Sequence, residues 1–149
     1  MVSMKDIAKQ CNVSVASVSK ALNGYPDISE ETRQLILNTA SEMGYLPNSS
    51  ARSLKTKRSH NLGVLFVDEA MSGLTHDYFN HVLESFKRTA ESRGYDITFT
   101  SGNLSGQHIS YYDHCRYRGV DGVVIACIDF FTEEVQQLVQ SEIPVVTID

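Results

Sequence analysis

One short stretch of this chain carries side chains suited to reading another molecule. It runs Ser14-Val15-Ala16-Ser17-Val18-Ser19-Lys20-Ala21-Leu22-Asn23. Val18, Ala21 and Leu22 fall at the spacing of one buried helical stripe, which turns Val15, Ala16, Ser17, Ser19 and Lys20 outward. Small apolar groups can lie against thymine methyls in a major groove, and an ammonium can donate to guanine O6 and N7. Ser17 and Asn23, together with backbone amides at helix starts, suit phosphate oxygens. For a lone helix the plainer reading prevails: Val15 and Ala16 merely begin it, and Lys20 is a solvated surface charge. The elements around the stretch have to decide between the two.

Those elements are short and sharply punctuated. Ser3 with Asp6 forms a capping-box pattern that opens a first helix burying Met4, Ile7 and Ala8. Cys11 to Ser14 reads as a tight turn in which Asn12 accepts a left-handed backbone, and Ser14 caps the second helix. Asn23-Gly24 stops that helix and Pro26 prevents its resumption. Ser29 caps a third helix, with Glu30 and Glu31 in its electropositive first turn and Leu35, Ile36, Ala40 and Met43 as its inner face. Gly44 ends it. Three helices around one small apolar cluster are expected over residues 1–47, with a helix-turn-helix over about 4–23.

Residues 48–60 are polar and basic with almost no core-forming side chains, and read as a linker holding one short helix that orders only when something supports it. Charge divides at the end of this linker. Through Arg58 there are eight basic and five acidic residues, a net +3; beyond it five basic face thirteen acidic, a net −8, which together make the −5 of the whole chain. A basic arm on an acidic body suggests a polyanionic partner.

From Leu62 the periodicity changes. The runs 62–67, 96–101, 120–127 and 143–148 read as strands, and 76–93, 108–118 and 133–140 as intervening helices. Such alternation implies right-handed crossovers and a parallel sheet covered on both faces, and a sheet that stops on a strand looks unfinished. Doubly wound sheets bind ligands beyond the carboxyl ends of their strands. There the chain offers Asp68-Glu69, Ser101-Gly102-Asn103 and Ile128-Asp129-Phe130-Phe131.

Other function classes find little support. Cys11, Cys115 and Cys127 are odd in number and widely spaced, and no pair has zinc-ligand spacing, so neither a disulfide framework nor a metal site is expected. Gly102-Asn103-Leu104-Ser105-Gly106 lacks the Lys-Ser or Lys-Thr of a phosphate loop, and no G-x-S-x-G nucleophile turn occurs. The acid pairs Asp68-Glu69 and Glu133-Glu134 have no catalytic partner in the sequence. A flavin-binding enzyme of flavodoxin-like fold and a nonspecific architectural DNA binder are the rival readings. The longest apolar run, 123–128, is too short to span a membrane, and the amino terminus lacks a signal-peptide core, so a cytoplasmic protein without cofactor or membrane partner is expected.

The segment Met4 to Asn23 resembles the helix-turn-helix of the lactose-repressor (LacI/GalR) family. The likeness continues through Ser29-Glu30-Glu31-Thr32-Arg33, Gly44-Tyr45, Pro47-Asn48 and Ala51-Arg52-Ser53-Leu54, then at Leu62-Gly63-Val64 and Gly119-Val120-Asp121-Gly122-Val123-Val124. Cys11 departs from the pattern, which usually carries a smaller residue there. The resemblance implies an all-α headpiece at 1–47, a hinge helix at 48–60, and at 61–149 a truncated amino-terminal lobe of a periplasmic-binding-protein-like, doubly wound α/β sensor domain. It implies a bacterial transcription regulator, a repressor rather than an enzyme, that binds a near-palindromic double-stranded operator as a homodimer. Val15, Ala16 and Lys20 match the family's base-reading positions. Two hinge helices would share the minor groove, each wedging Leu54 into a central step, with Ala51 allowing close approach and Asn48, Arg52 and Lys55 on backbone or groove edges. Left to itself, Leu54 would simply pack against the body or the third helix. An effector such as a sugar or nucleobase would contact Asp68, Tyr78, Phe79 and Asp129, although Phe79 also lies on the inner stripe of its helix. With only part of one lobe present, little effector binding is expected of this chain alone.

Overall fold

The computed structural model describes residues 1–47, 53, 56–67 and 73–148. The chain divides into two compact units, Met1–Asn48 and Ser49–Asp149.

The first unit contains α1 (Met4–Cys11), α2 (Val15–Leu22) and α3 (Glu30–Glu42). Each begins at a serine whose hydroxyl accepts a backbone N–H three residues on: Ser3 from Asp6, Ser14 from Ser17 and Ser29 from Thr32. The Ser3 amide in turn donates to Asp6 Oδ2 at 2.8 Å, completing the capping box. Asn12 ends α1 in the left-handed region at φ 54°, as its short polar side chain permits. Ile7, Ala8, Val18, Ala21, Ile36 and Ala40 form one buried cluster to which all three helices contribute. Ile7, Val18 and Ile36 are fully buried, and each stabilises the fold by about 1.5–3 kcal/mol. One expectation fails here. Leu35 is 50% exposed, and Thr39 takes a buried place beside Ile36 and Ala40. Ile36 and Ala40 lie one turn apart and point at the cluster, so Leu35, about 100° around the helix, is carried off it.

The second unit is a four-stranded sheet in the order β2-β1-β5-β6, with all three pairings parallel. Its strands are β1 (Asn61–Phe66), β2 (Asp96–Thr100), β5 (Gly122–Ala126) and β6 (Val145–Ile148). The crossovers carry α4 (Asp77–Ser92), α5 (Tyr111–Arg118) and α6 (Glu133–Val139). Leu65, Val123 and Ile125 pack with Cys115 of α5 and with Val135 and Leu138 of α6 on one face. Val64, on the opposite pleat of β1, lines a groove with Leu83 and Phe86 of α4, so the sheet carries helices on both sides. Every residue of β5 is buried, which explains its unbroken apolar run. Gly63 is required by close approach, since a Cβ there would lie 3.1 Å from Val123 Cγ2.

The stretch expected as a helix over 108–118 is shorter. Asn103–Leu104 (β3) and Gln107–His108 (β4) form an antiparallel hairpin, and α5 starts only after Ser110, whose hydroxyl accepts the Asp113 N–H at 3.1 Å. That serine cap outcompetes continuation toward Gln107, while His108 Nε2 lies 3.0 Å from Glu134 Oε1 and holds the hairpin beside α6. His114 and Cys115 are both buried. His114 Nδ1 donates to the Ser101 carbonyl at 2.7 Å, while its Nε2 faces the Arg118 Nε–H at 3.4 Å. Among the described residues no cluster of three His, Cys, Asp or Glu side chains could hold a metal ion, and no helix is long and apolar enough to cross a membrane.

Candidate nucleic-acid interface

The outward face of α2 is presented as its sequence requires. Ser14 caps the helix, its Oγ 3.0 Å from the Ser17 nitrogen and 2.9 Å from Ser17 Oγ. Val18 and Ala21 are buried against α1 and α3, so the helix cannot roll. Val15, at 41% exposed, Ala16 and Lys20 stand on the open surface. Val15 and Ala16 lie in the first turn of the helix, at the positive end of its dipole, and Lys20 lies in its last turn. Small methyl-bearing groups in the first turn and a cation in the last turn thus share the open side of one helix.

The two headpiece residues assigned to phosphate, Ser17 and Asn23, are both occupied at home. Half-buried Ser17 shares its hydroxyl with Ser14. Asn23 donates from Nδ2 to the Ser19 carbonyl at 2.7 Å, closing the end of its own helix. Each keeps further hydrogen-bonding capacity, because a hydroxyl has one donor and two acceptor sites and an amide nitrogen has two hydrogens.

Lys20 has a partner that sequence reading did not find. Its Nζ donates to Asp27 Oδ2 across the α2–α3 loop, with 46% and 53% of the two side chains exposed. The hydrogen bond from the ammonium holds the Asp27 carboxyl below the ordinary aspartate range, which favours its ionised form. The available signal was the reversal at Asn23-Gly24, which sends residues after 24 back past Lys20.

The hinge assignments Asn48, Ala51, Arg52, Leu54 and Lys55 lie outside the described residues, as does Asp68. The exit from the linker is described, and Asp121 organises it. One carboxylate oxygen accepts the Ser59 N–H at 2.8 Å and the Ser59 hydroxyl at 3.1 Å, and the other accepts the His60 N–H at 3.0 Å. The Asp121 amide donates to the Asn61 carbonyl at 2.8 Å. The start of β1 is thereby tied to the turn before β5, a role not anticipated from the Gly-Val-Asp-Gly run.

At the carboxyl ends of the strands, Tyr78 is 54% exposed at the start of α4. Phe79 is half-buried and packs edge-on against Phe66 with ring centroids 5.8 Å apart. Asp129 is exposed, and its Oδ1 accepts the Phe131 N–H at 2.8 Å, shaping the loop before α6. Tyr78 and Asp129 remain open to solvent on the rim where a doubly wound sheet takes ligands.

Two family descriptions match the chain. "Bacterial regulatory proteins, lacI family" covers residues 3–48, and "Periplasmic binding proteins and sugar binding domain of LacI family" covers residues 59–149. Similar curated proteins include the probable HTH-type transcriptional repressor ExuR of Bacillus subtilis, 32% identical over all of this chain and 43% of that protein. The HTH-type transcriptional repressor PurR of Escherichia coli is 30% identical over 87% of this chain and 37% of that protein. Among solved structures, a LacI-family regulator from Silicibacter pomeroyi superposes with TM-score 0.73 at 24% identity, over 99% of this chain and 43% of that one. The lac repressor dimer bound to operator and the anti-inducer ONPF superposes with TM-score 0.72 at 21% identity, over 98% and 44%. The chain therefore spans well under half the length of these relatives. With its three-helix headpiece and its parallel β2-β1-β5-β6 sheet, the chain belongs to the LacI family of bacterial regulatory proteins, whose members are transcriptional regulators rather than enzymes.

Proposed function

We propose that this chain is the operator-reading portion of a bacterial repressor that binds a near-palindromic DNA site as a homodimer, one α2 in the major groove of each half-site. The observation that carries the reading is the exposed Val15-Ala16-Lys20 edge on a helix whose opposite side is locked into a core. Val15 and Ala16 read thymine methyls, Lys20 reads guanine, and Ser17 and Asn23 set register on phosphates. The repressor designations of ExuR and PurR support this reading. So does the basic balance of the chain through Arg58.

Dimerisation draws support from the second unit. β2 is an edge strand of the described sheet, and Phe99 on it stands 54% exposed beside an apolar groove formed with Leu83 and Phe86 of α4. A second copy would cover that surface. Between two such subunits the hinge residues Asn48, Ala51, Arg52 and Lys55 would follow the minor groove, with Leu54 wedged at the centre of the site. A sugar- or nucleobase-like effector at the strand carboxyl ends, touching Asp68, Tyr78, Phe79 and Asp129, would bias the hinge in the complete regulator.

Selection of bound duplexes from a random pool tests the whole reading. The expected product is a two-fold symmetric consensus with half-sites about one helical turn apart and a conserved G·C pair in each half. A pool that emerges without sequence preference refutes it.

A further inference from the structure

The loop that follows α2 is fastened to both of the helices it joins. Gly24, at φ +71°, donates its N–H to the Ala21 carbonyl at 3.2 Å, and the Tyr25 N–H bonds the Lys20 carbonyl at 3.0 Å. This paired closure turns the chain back across the end of the helix. Pro26 then stiffens the next step, and Arg33 of α3 donates from a guanidinium nitrogen to the Tyr25 carbonyl at 2.5 Å. The loop is therefore tied to α2 by backbone and to α3 by a side chain that is itself only 18% exposed. Asp27, seven residues beyond Lys20, is delivered to the Lys20 ammonium by this framework.

Stability does not explain the pairing, since ion pairs exposed to this degree contribute little to folding. Recognition does. An ammonium has three N–H donors and no preferred plane, so a free lysine grips a phosphate as readily as a base. Once one N–H is held by Asp27, two remain, which is the number of acceptors guanine presents in the major groove. The carboxylate also offsets the charge that would otherwise join in sequence-independent phosphate binding.

Resting on the reading of Lys20 as a base contact, we propose that Asp27 is a specificity-determining positioning residue, which aims the Lys20 ammonium at base edges and withholds it from the phosphate backbone. Asp27 need not touch DNA to do so. It raises the ratio of specific to nonspecific binding chiefly by lowering the nonspecific term.

The test uses the full chain, the duplexes it selects from a random pool, and a scrambled duplex. Asp27→Asn keeps the size of the side chain and removes its charge. Affinity for the scrambled duplex should rise about three- to tenfold at low salt, and the slope of log affinity against log salt should steepen by about one. Preference at the base pair read by Lys20 should relax, while Asp27→Glu, which keeps the carboxylate, should retain most of the original preference. In a Lys20→Ala background, Asp27→Asn should change neither the base preference nor the salt slope. A parallel loss of affinity for both duplexes, with an unchanged slope, would make Asp27 a structural residue and overturn the proposal. An effect of the same size with and without Lys20 would overturn it as well. If Lys20→Ala alone leaves every base preference intact, the reading of Lys20 fails, a result separable from failure of the Asp27 assignment.

Discussion

Replacing Ile36 by alanine should remove DNA recognition without touching any residue proposed to face DNA. Ile36 is fully buried in the cluster it forms with Ile7, Ala8, Val18, Ala21 and Ala40. Truncating such a side chain costs about 2–5 kcal/mol, because the lost transfer energy is joined by a cavity term. The unit that holds it runs only from Met1 to Asn48. At about 0.05–0.15 kcal/mol per residue, its whole stability is about 2–7 kcal/mol. The substitution therefore removes a large part of that stability, up to all of it. α2 has eight residues and is too short to persist in water once its packing is lost. Two-dimensional amide spectra of the full chain at 25 and 37 °C, with binding to a selected duplex, measure the effect. Dispersed signals from residues 1–47 should collapse on warming, and affinity should fall at least tenfold. Leu35→Ala is the control: its side chain is half exposed, so the change should stay within about 0.5 kcal/mol. If Ile36→Ala kept a native spectrum and full affinity at 37 °C, or if Leu35→Ala proved as damaging, the idea that one small cluster braces the recognition helix would be refuted.

Lys20→Ala should weaken binding to selected duplexes by about 1–3 kcal/mol and relax preference at one base pair per half-site, as read by competition with single-substituted duplexes; an equal loss on every sequence would make Lys20 a phosphate contact. Asp121→Asn gives up the negative charge that the Ser59 and His60 N–H groups and the Ser59 hydroxyl share, and should lower stability by about 1.5–3 kcal/mol in urea unfolding; a change below about 0.5 kcal/mol would show that the linker exit is held by other contacts. Burial pushes the Cys115 thiol up, so the folded state disfavours its thiolate. The stabilisation from this site is complete below the unfolded thiol value of about 8.5 and is lost as pH rises toward the folded value. Maleimide labelling at pH 8 should therefore reach Cys11 well before Cys115, and fast labelling of Cys115 in the native protein would contradict its burial.

Much of the local structure was legible because it is decided by neighbours in sequence. Serine caps at Ser3, Ser14 and Ser29, the left-handed Asn12 and the apolar stripe of Val18 and Ala21 all depend on contacts within a few residues. The parallel sheet was legible for a related reason, since alternating strands and helices admit few right-handed arrangements. The exposed Val15-Ala16-Lys20 edge followed from helical periodicity alone. The hairpin at Asn103–His108 was missed because two-residue strands carry no periodicity, and the outward turn of Leu35 because an apolar residue on a helix flank satisfies the same pattern as one on its core face.

What the amino-acid order determined by itself was where helices start and stop, which face of α2 is open, and that a basic arm precedes an acidic body. Tertiary structure alone decided which distant charges meet. Lys20 faces Asp27 only because the Gly24 reversal and the Arg33 tie fold the loop back onto α2, and Asp121 reaches the Ser59 and His60 amides only because β1 and β5 lie side by side. Local order depends on torsions and hydrogen bonds within a turn of helix, whereas charge partners depend on loop paths and strand neighbours, which side-chain periodicity does not encode.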